Sequence, residues 1–287
     1  ETMRRAVKRR LVADVPVGVL LSGGVDSSLI TGLIAEAGHS NLQTYSIGFE
    51  TVGDEKGDEF EYSNIVADHF ATDHHRIFID SSRSLTELDG CIDAMSEPMV
   101  SHDAIGFYLL SEEVSKSAKV VQSESTAPVD DYARVFFDRD HDEMSRALET
   151  SRLGEDHSRR FVADHFALSG AELAVDKALR IDSTIMLVDD PVKRVDNMTM
   201  AWGLEARVPF LDHEVVELAA RLPAALKIRD DGKYILKEAS RAVIPAAVID
   251  RPKGYFPVPA LKYLRGAFFE RVRDVLNQPA ATKRGVF

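Results

Sequence analysis

Between residues 22 and 28 the chain places three hydroxyls, two glycines and one carboxylate: Ser22, Gly23, Gly24, Asp26, Ser27 and Ser28. Hydroxyls, and the unpaired amides at the start of a helix, are donors suited to phosphate or pyrophosphate, and glycines let backbone come close to a ligand. A carboxylate beside a polyphosphate is repulsive unless a divalent cation bridges the two, so Asp26 reads as a magnesium ligand. Two glycines alone are better explained as an ordinary strand-to-helix turn. The full string is what points to chemistry.

The elements that must position this string are legible on either side of it. The apolar run from Pro16 to Leu21 predicts a short buried strand, and Ile30, Leu33, Ile34 and Ala37 recur at helical spacing until Gly38 ends the helix. A second strand is expected over 42–47, closing at Gly48-Phe49, and then an exposed acidic loop over 50–58. Tyr62, Ile65, Val66, His69 and Phe70 form one helical stripe, and residues 73–80 read as a third strand. Helical patterns over 82–95 and 103–117, then a Lys119-Val120-Val121 strand, continue the alternation. Such alternation predicts an α/β fold, a doubly wound parallel sheet, with a largely helical C-terminal half. Ligands bind such sheets at the carboxyl ends of the strands, where Ser22 to Asp26 and Ile47-Gly48 would lie. Beyond about residue 139 no strand signal remains; helices are expected near 140–150, 157–167, 171–188 and 213–221. The expected division is a nucleotide-binding core over 1–130 and a mostly helical part over 131–287, meeting in the polar stretch 123–140.

Composition narrows the class. At 287 residues and 45% hydrophobic the chain can bury one large core or two ordinary ones. A net charge of −12 argues against broad nucleic-acid binding. Arg4, Arg5, Lys8, Arg9 and Arg10 form a local basic face that reads as solvated. No apolar run spans a bilayer and no signal peptide is visible, so neither a membrane nor a nucleic-acid partner is expected and a cytoplasmic location is. The one cysteine, Cys91, excludes a disulfide framework within these residues and reads as core.

Ser-Gly-Gly-Val-Asp-Ser-Ser after an apolar strand resembles the pyrophosphate loop of the ATP pyrophosphatase superfamily; no Walker Gly-Lys-Ser/Thr follows it. Three later stretches narrow the likeness: Arg194 to Asp212, Gly232-Lys233-Tyr234-Ile235-Leu236-Lys237-Glu238-Ala239, and Arg251-Pro252-Lys253-Gly254-Tyr255-Phe256. Together these resemble the synthetase domain of the asparagine synthetase family, which implies an adenine nucleotide alpha hydrolase-like fold with ATP and Mg2+ as cofactors. The implied reaction is amidation of a carboxylate: ATP converts the acid into an acyl-adenylate, and ammonia then displaces AMP. By position in the motifs, Ser22, Gly23, Gly24, Asp26, Ser27 and Ser28 would hold pyrophosphate. The main chain at Leu20 and at Ile47, with Gly48 beside it, would face adenine. Lys233 matches the family's catalytic lysine near the alpha-phosphate, and Arg251 and Lys253 read as further phosphate contacts. Glu205, Arg207 and Asp212 read instead as a buried structural ion-pair network.

The implied partners are a small carboxylate such as aspartate or a short peptide-like acid, and a glutaminase domain or subunit that supplies ammonia. Such relatives carry an amino-terminal nucleophilic cysteine that this chain does not show, so it reads as the synthetase half of a larger assembly. Homo-oligomer formation is left open. Where the family has a Gly-Glu/Gln-Gly-Ala-Asp-Glu loop, this chain runs from Ser123 into Glu124-Ser125-Thr126-Ala127-Pro128, which reads as an absent segment. The rival expectations are an adenylating enzyme of another ATP pyrophosphatase branch and an inactive nucleotide-binding module.

Overall fold

The computed structural model describes residues 1–39, 41–49, 58, 60–80, 82–99, 103–122, 141–229, 232–251 and 266–285. Helix α1 (Thr2–Arg9) leads to strand β1 (Val17–Leu20), which passes through the Ser22-Gly23-Gly24 turn into α2 (Val25–Glu36). Gly38, at φ +85°, lies just beyond the end of α2, as its spacing predicted. Then follow β2 (Gln43–Phe49), α3 (Phe60–Phe70), β3 (Asp73–Ile79), the short helices α4 (Ser82–Thr86) and α5 (Leu88–Asp93), α6 (Asp103–Ser115) and β4 (Val120–Gln122).

A second stretch is helical: α7 (His141–Ala147), α8 (Thr150–Leu153), α9 (His157–Ala167) and α10 (Ala174–Ile181), continued by two π-helical turns at Asp182–Met186 and Val188–Val192. After α11 (Lys193–Met200) the chain forms one more strand, β5 (Glu205–Arg207), then α12 (His213–Arg221), α13 (Ala224–Lys227), α14 (Tyr234–Ser240) and α15 (Ala246–Ile249). The helices α16 (Gly266–Leu276) and α17 (Pro279–Arg284) come last.

The strands form one parallel sheet in the order β3-β2-β1-β4-β5 with flanking helices, the α/β arrangement that the alternation of strands and helices predicts. Val19 of β1 stands in register with Thr44 of β2 and with Gln122 of β4, and Gln122 with Arg207 of β5. The expectation of no strand beyond residue 139 is therefore corrected. Glu-Ala-Arg is too short to show an alternating pattern, and β5 exists because β4 offers it a ladder edge.

Contacts divide the chain into two compact units. One is Glu1–Ser125 together with Val192–Ala260, and the other Thr126–Pro191 together with Leu261–Phe287. The single boundary expected near 130 thus gives way to a discontinuous first unit, because β5 joins the sheet and α15 packs on α2 and α3. In that unit Val7, Val19, Leu29, Ile30, Leu33, Ile34 and Leu42 bury one cluster, and Leu21, Val66, Ala67, Ile244, Val248 and Ile249 a second. The second cluster ties the strand that feeds the glycine turn to the returning segment. Burying a side chain of this kind stabilises the fold by about 1.5–3 kcal/mol each.

The helix ends have partners too. Asp212 caps α12 by accepting from the Glu214 amide at 3.1 Å. The basic face of α1 is exposed, as expected, and is also paired: Arg9 and Arg10 reach Asp212 at 3.1 and 2.7 Å, and Arg5 and Arg9 each reach Glu214 at 2.6 Å. Arg207 donates to the carbonyls of Arg10 and Val12 and pairs with Glu205 at 2.7 Å. The buried network expected of Glu205, Arg207 and Asp212 is instead two separate pairings, Glu205 with Arg207 and Asp212 with Arg9 and Arg10; of the three only Asp212 is buried, and the Glu205 side chain is 57% exposed.

Candidate functional site

Leu21 is bonded into the sheet beyond the end of β1, its amide donating to the Tyr45 carbonyl at 2.7 Å while Ser46 Oγ donates to the Leu21 carbonyl. The turn therefore begins from a fixed point. Ser22 Oγ accepts from the Gly24 amide at 3.2 Å and lies 3.0 Å from Ser27 Oγ, so the loop is closed by its own hydroxyls. Gly24 is the N-cap of α2, whose first turn holds Asp26, Ser27 and Ser28, all buried.

Gly23 has φ +76°, and a Cβ there would stand 2.6 Å from the Ser63 amide nitrogen and 2.8 Å from Tyr62 Cβ. What requires glycine at this position is the close approach of α3. Gly48 is held in the same way: a Cβ would meet the Phe60 ring at 2.6 Å. Leu20 and Ile47 lie on adjacent strands, each 8% exposed.

The main finding at the site is a pair 207 residues apart in sequence: Lys233 Nζ donates to Asp26 Oδ2. Lys233 precedes α14 in a left-handed conformation, φ +54°, next to Gly232 at φ +84°. A lysine has no intrinsic preference for that region, so the surrounding structure has to impose it. The carboxylate is 4% exposed and the ammonium 41%. Among the described residues, Asp26 Oδ1 and Ser28 Oγ are buried with no hydrogen-bond partner. Buried acceptors and hydroxyls normally have partners, so these two atoms fit a ligand that supplies them. One carboxylate beside a glycine turn at a helix start fits the way magnesium is usually held, through one or two protein oxygens and the phosphates of a nucleotide. No group of three His, Cys, Asp or Glu side chains suited to a metal occurs among the described residues.

Arg251 lies with its guanidinium 4.5 Å from the centre of the Tyr62 ring. Tyr62 is a neighbour of Gly23, so Arg251 reaches the loop's corner through α3. The sequence marked Tyr62 only as part of a buried helical stripe, and nothing local shows that it links the two. Lys253, and the stretch from Ser123 to Pro128 where the family has its acidic loop, lie outside the described residues.

Two groups stand apart from the chemistry. Cys91 is 1% exposed and packs its sulfur 3.6 Å from Met198 Sδ; burial pushes its thiol up to about 11, as suits a core residue. His74 is held by Thr44 Oγ1 at 2.8 Å and burial lowers its pKa, so it is neutral and structural. No described helix is long and apolar enough to cross a membrane.

The family model described as asparagine synthase matches residues 1–128 and 125–287. Among curated relatives, asparagine synthetase [glutamine-hydrolyzing] 1 of Bacillus subtilis is 25% identical over 326 residues, covering 95% of this chain and 51% of the relative. The asparagine synthetases of Gallus gallus and Homo sapiens are 27% and 28% identical, over 95% and 88% of this chain and 45% and 41% of their own lengths. The chain therefore spans about half the length of the relatives it matches. Since the family's two matched segments together run the length of the chain, it belongs to the asparagine synthase family.

Proposed function

We propose that the unit formed by residues 1–125 and 192–260 activates a small carboxylate with ATP and passes it to ammonia as an amide, releasing AMP and pyrophosphate. The observation that carries this reading is the meeting of Lys233 with Asp26 at the start of α2, beside two buried polar atoms that lack partners. ATP-dependent amidation is the family's general chemistry; the acyl-adenylate route and the residue roles are part of the proposal.

A carboxylate at neutral pH has no leaving group, and adenylation supplies one. In the proposed pose, pyrophosphate is held by the α2 amides with Ser22, Ser27 and Ser28, and adenine lies at the strand ends by Leu20, Ile47 and Gly48. Asp26 would hold magnesium, which when bound offsets charge on the pyrophosphate. Lys233, released from Asp26, offsets charge developing on the alpha-phosphate, with Arg251 and Lys253 as outer phosphate contacts. Preorganised donors of this kind supply much of the rate in such reactions. Cys91 takes no part, so ammonia is delivered by a glutaminase domain or subunit.

The test is pyrophosphate release by the purified chain from ATP and magnesium with ammonium chloride, over a panel of carboxylic acids beginning with L-aspartate. Acid-dependent release with formation of AMP and the amide is expected. ATP binding with no release for any acid would favour an inactive nucleotide-binding module.

A further inference from the structure

Beyond the residues already placed, one polar side chain in the sheet has no explanation. Gln122 closes β4, is 0% exposed, and among the described residues neither its Oε1 nor its Nε2 has a hydrogen-bond partner. A primary amide carries two donor hydrogens and an acceptor oxygen, and enclosing all of them unpaired is rare in folded proteins. In a strand flanked by Val120 and Val121 an apolar residue would pack without this cost.

Its place in the topology gives the amide a use. β1 pairs with β2 on one side and with β4 on the other, and the chain goes from β1 to β2 before it returns to β4. The strand order therefore reverses between β1 and β4, and sheets of this type bind ligands in the crevice beyond the carboxyl ends at that reversal. Gln122 is the last residue of β4 there, in register with Val19, three residues before Ser22. On the reading above, the β2 side of the crevice takes adenine through Ile47 and Gly48, and α2 takes pyrophosphate. The β4 side is left for the second substrate.

We infer that Gln122 is a specificity-determining residue that hydrogen-bonds the carboxylic acid substrate at the carboxyl end of β4; this rests on the ligase reading. An uncharged amide can donate to the acid's polar groups without competing for the cation that pyrophosphate needs. The acid must part the atoms that enclose the amide, as pyrophosphate must at Ser28, which is likewise fully buried with its hydroxyl unpartnered.

The experiment compares wild type with Gln122→Met, which keeps the length of the side chain and removes the amide, and with Gln122→Glu, which keeps an acceptor and adds a repelling charge. Three quantities are read on the full chain: ligand-free melting temperature, ATP affinity by titration, and the dependence of pyrophosphate release on L-aspartate. Removing an orphaned amide should raise the ligand-free melting temperature of Gln122→Met by about 2 °C or more. The same variant should need about tenfold more acid, and Gln122→Glu more again, with ATP affinity within about twofold. A melting temperature that does not rise overturns the inference, because the amide is then satisfied without ligand. A raised melting temperature with unchanged acid dependence also overturns it, leaving Gln122 a mere stability defect. A matching loss of ATP affinity overturns the assignment to the acid. Failure of the ligase reading looks different: wild type itself then binds no ATP, or releases no pyrophosphate with any acid of the panel, from which the titrated acid is taken if L-aspartate is inactive, and the acid assignment falls with it whatever the variants' melting temperatures.

Discussion

Lys233 Nζ donates to Asp26 Oδ2 across 207 residues of sequence, and the lysine holds a left-handed backbone conformation as it does so. The contact sets a charge against a nearly enclosed carboxylate, one of whose oxygens is left without a partner. If the ammonium acts mainly on charge that develops at the alpha-phosphate, its benefit belongs to the transition state. Lys233→Met should then lower turnover about a hundred- to a thousand-fold, about 3–4 kcal/mol, with a much smaller change in ATP affinity. Lys233→Arg should rescue poorly, since a planar guanidinium does not replace a point charge. Turnover and ATP dissociation constants for the three proteins check this; a Met variant within about threefold of wild type would return the role to Arg251 or Lys253.

Asp26→Asn keeps the side chain's shape and removes its charge. Magnesium-dependent ATP binding is expected to weaken while the far-ultraviolet circular dichroism stays that of the wild type. Titration of ATP affinity against magnesium concentration is the measurement, and an unchanged magnesium dependence rules out the metal role.

At Gly23 the prediction concerns backbone and packing together. Gly23→Ala puts a methyl 2.6 Å from the Ser63 amide nitrogen at a φ of +76°. Left-handed backbone alone costs a non-glycine residue about 1–2 kcal/mol, and α3 must also shift. Loss of stability in urea unfolding and loss of ATP binding should appear together; a variant of wild-type stability would mean that α3 gives way freely.

Asp212 supplies a pH-dependent prediction. Burial opposes its ionisation, yet hydrogen bonds from Arg10, the Glu214 amide and Arg9 overcome that and hold its pKa below the ordinary 3.8. A carboxyl depressed in the folded state adds stability that is fully present above its unfolded pKa and lost as pH falls through the folded one. Asp212→Asn retains a helix cap but loses the charged hydrogen bonds, so it should cost about 1.5–3 kcal/mol near pH 7. The gap between variant and wild type should close only below pH 3.8, where the wild-type carboxylate takes up its proton. Urea unfolding across pH follows it, and a gap that is constant down to the acid limit would exclude the ionic contribution.

Much of this was legible in the chain because it is local. The strand, glycine turn and helix around Ser22 to Ser28 follow from hydrophobic spacing and turn residues within about twenty positions, and the same holds for β2, α3 and β3. What was not legible depends on distant partners. β5 is three residues long and takes its shape from β4. The arginines of α1 are the solvated face they look like, but their pairing with Asp212 and Glu214, some two hundred residues later, shows in no local pattern. Lys233 stood out only through its motif, since no periodicity tells which lysine will reach Asp26.

The pairing of β4 with β5 also orders events during synthesis. The two strands that form this ladder are separated by Thr126–Pro191, a stretch that belongs to the other unit. At ribosomal rates of about 5–20 residues per second, the whole stretch between them, residues 123–204, takes roughly 4–16 s to emerge. For that interval β4 is an open edge, and the arginines of α1 await the acids that will pair with them. The nascent chain thus passes through a stage in which β1, the glycine turn and α2 have emerged but the sheet still lacks β5 and Leu21 still lacks the Ile244, Val248 and Ile249 side chains that will cover it.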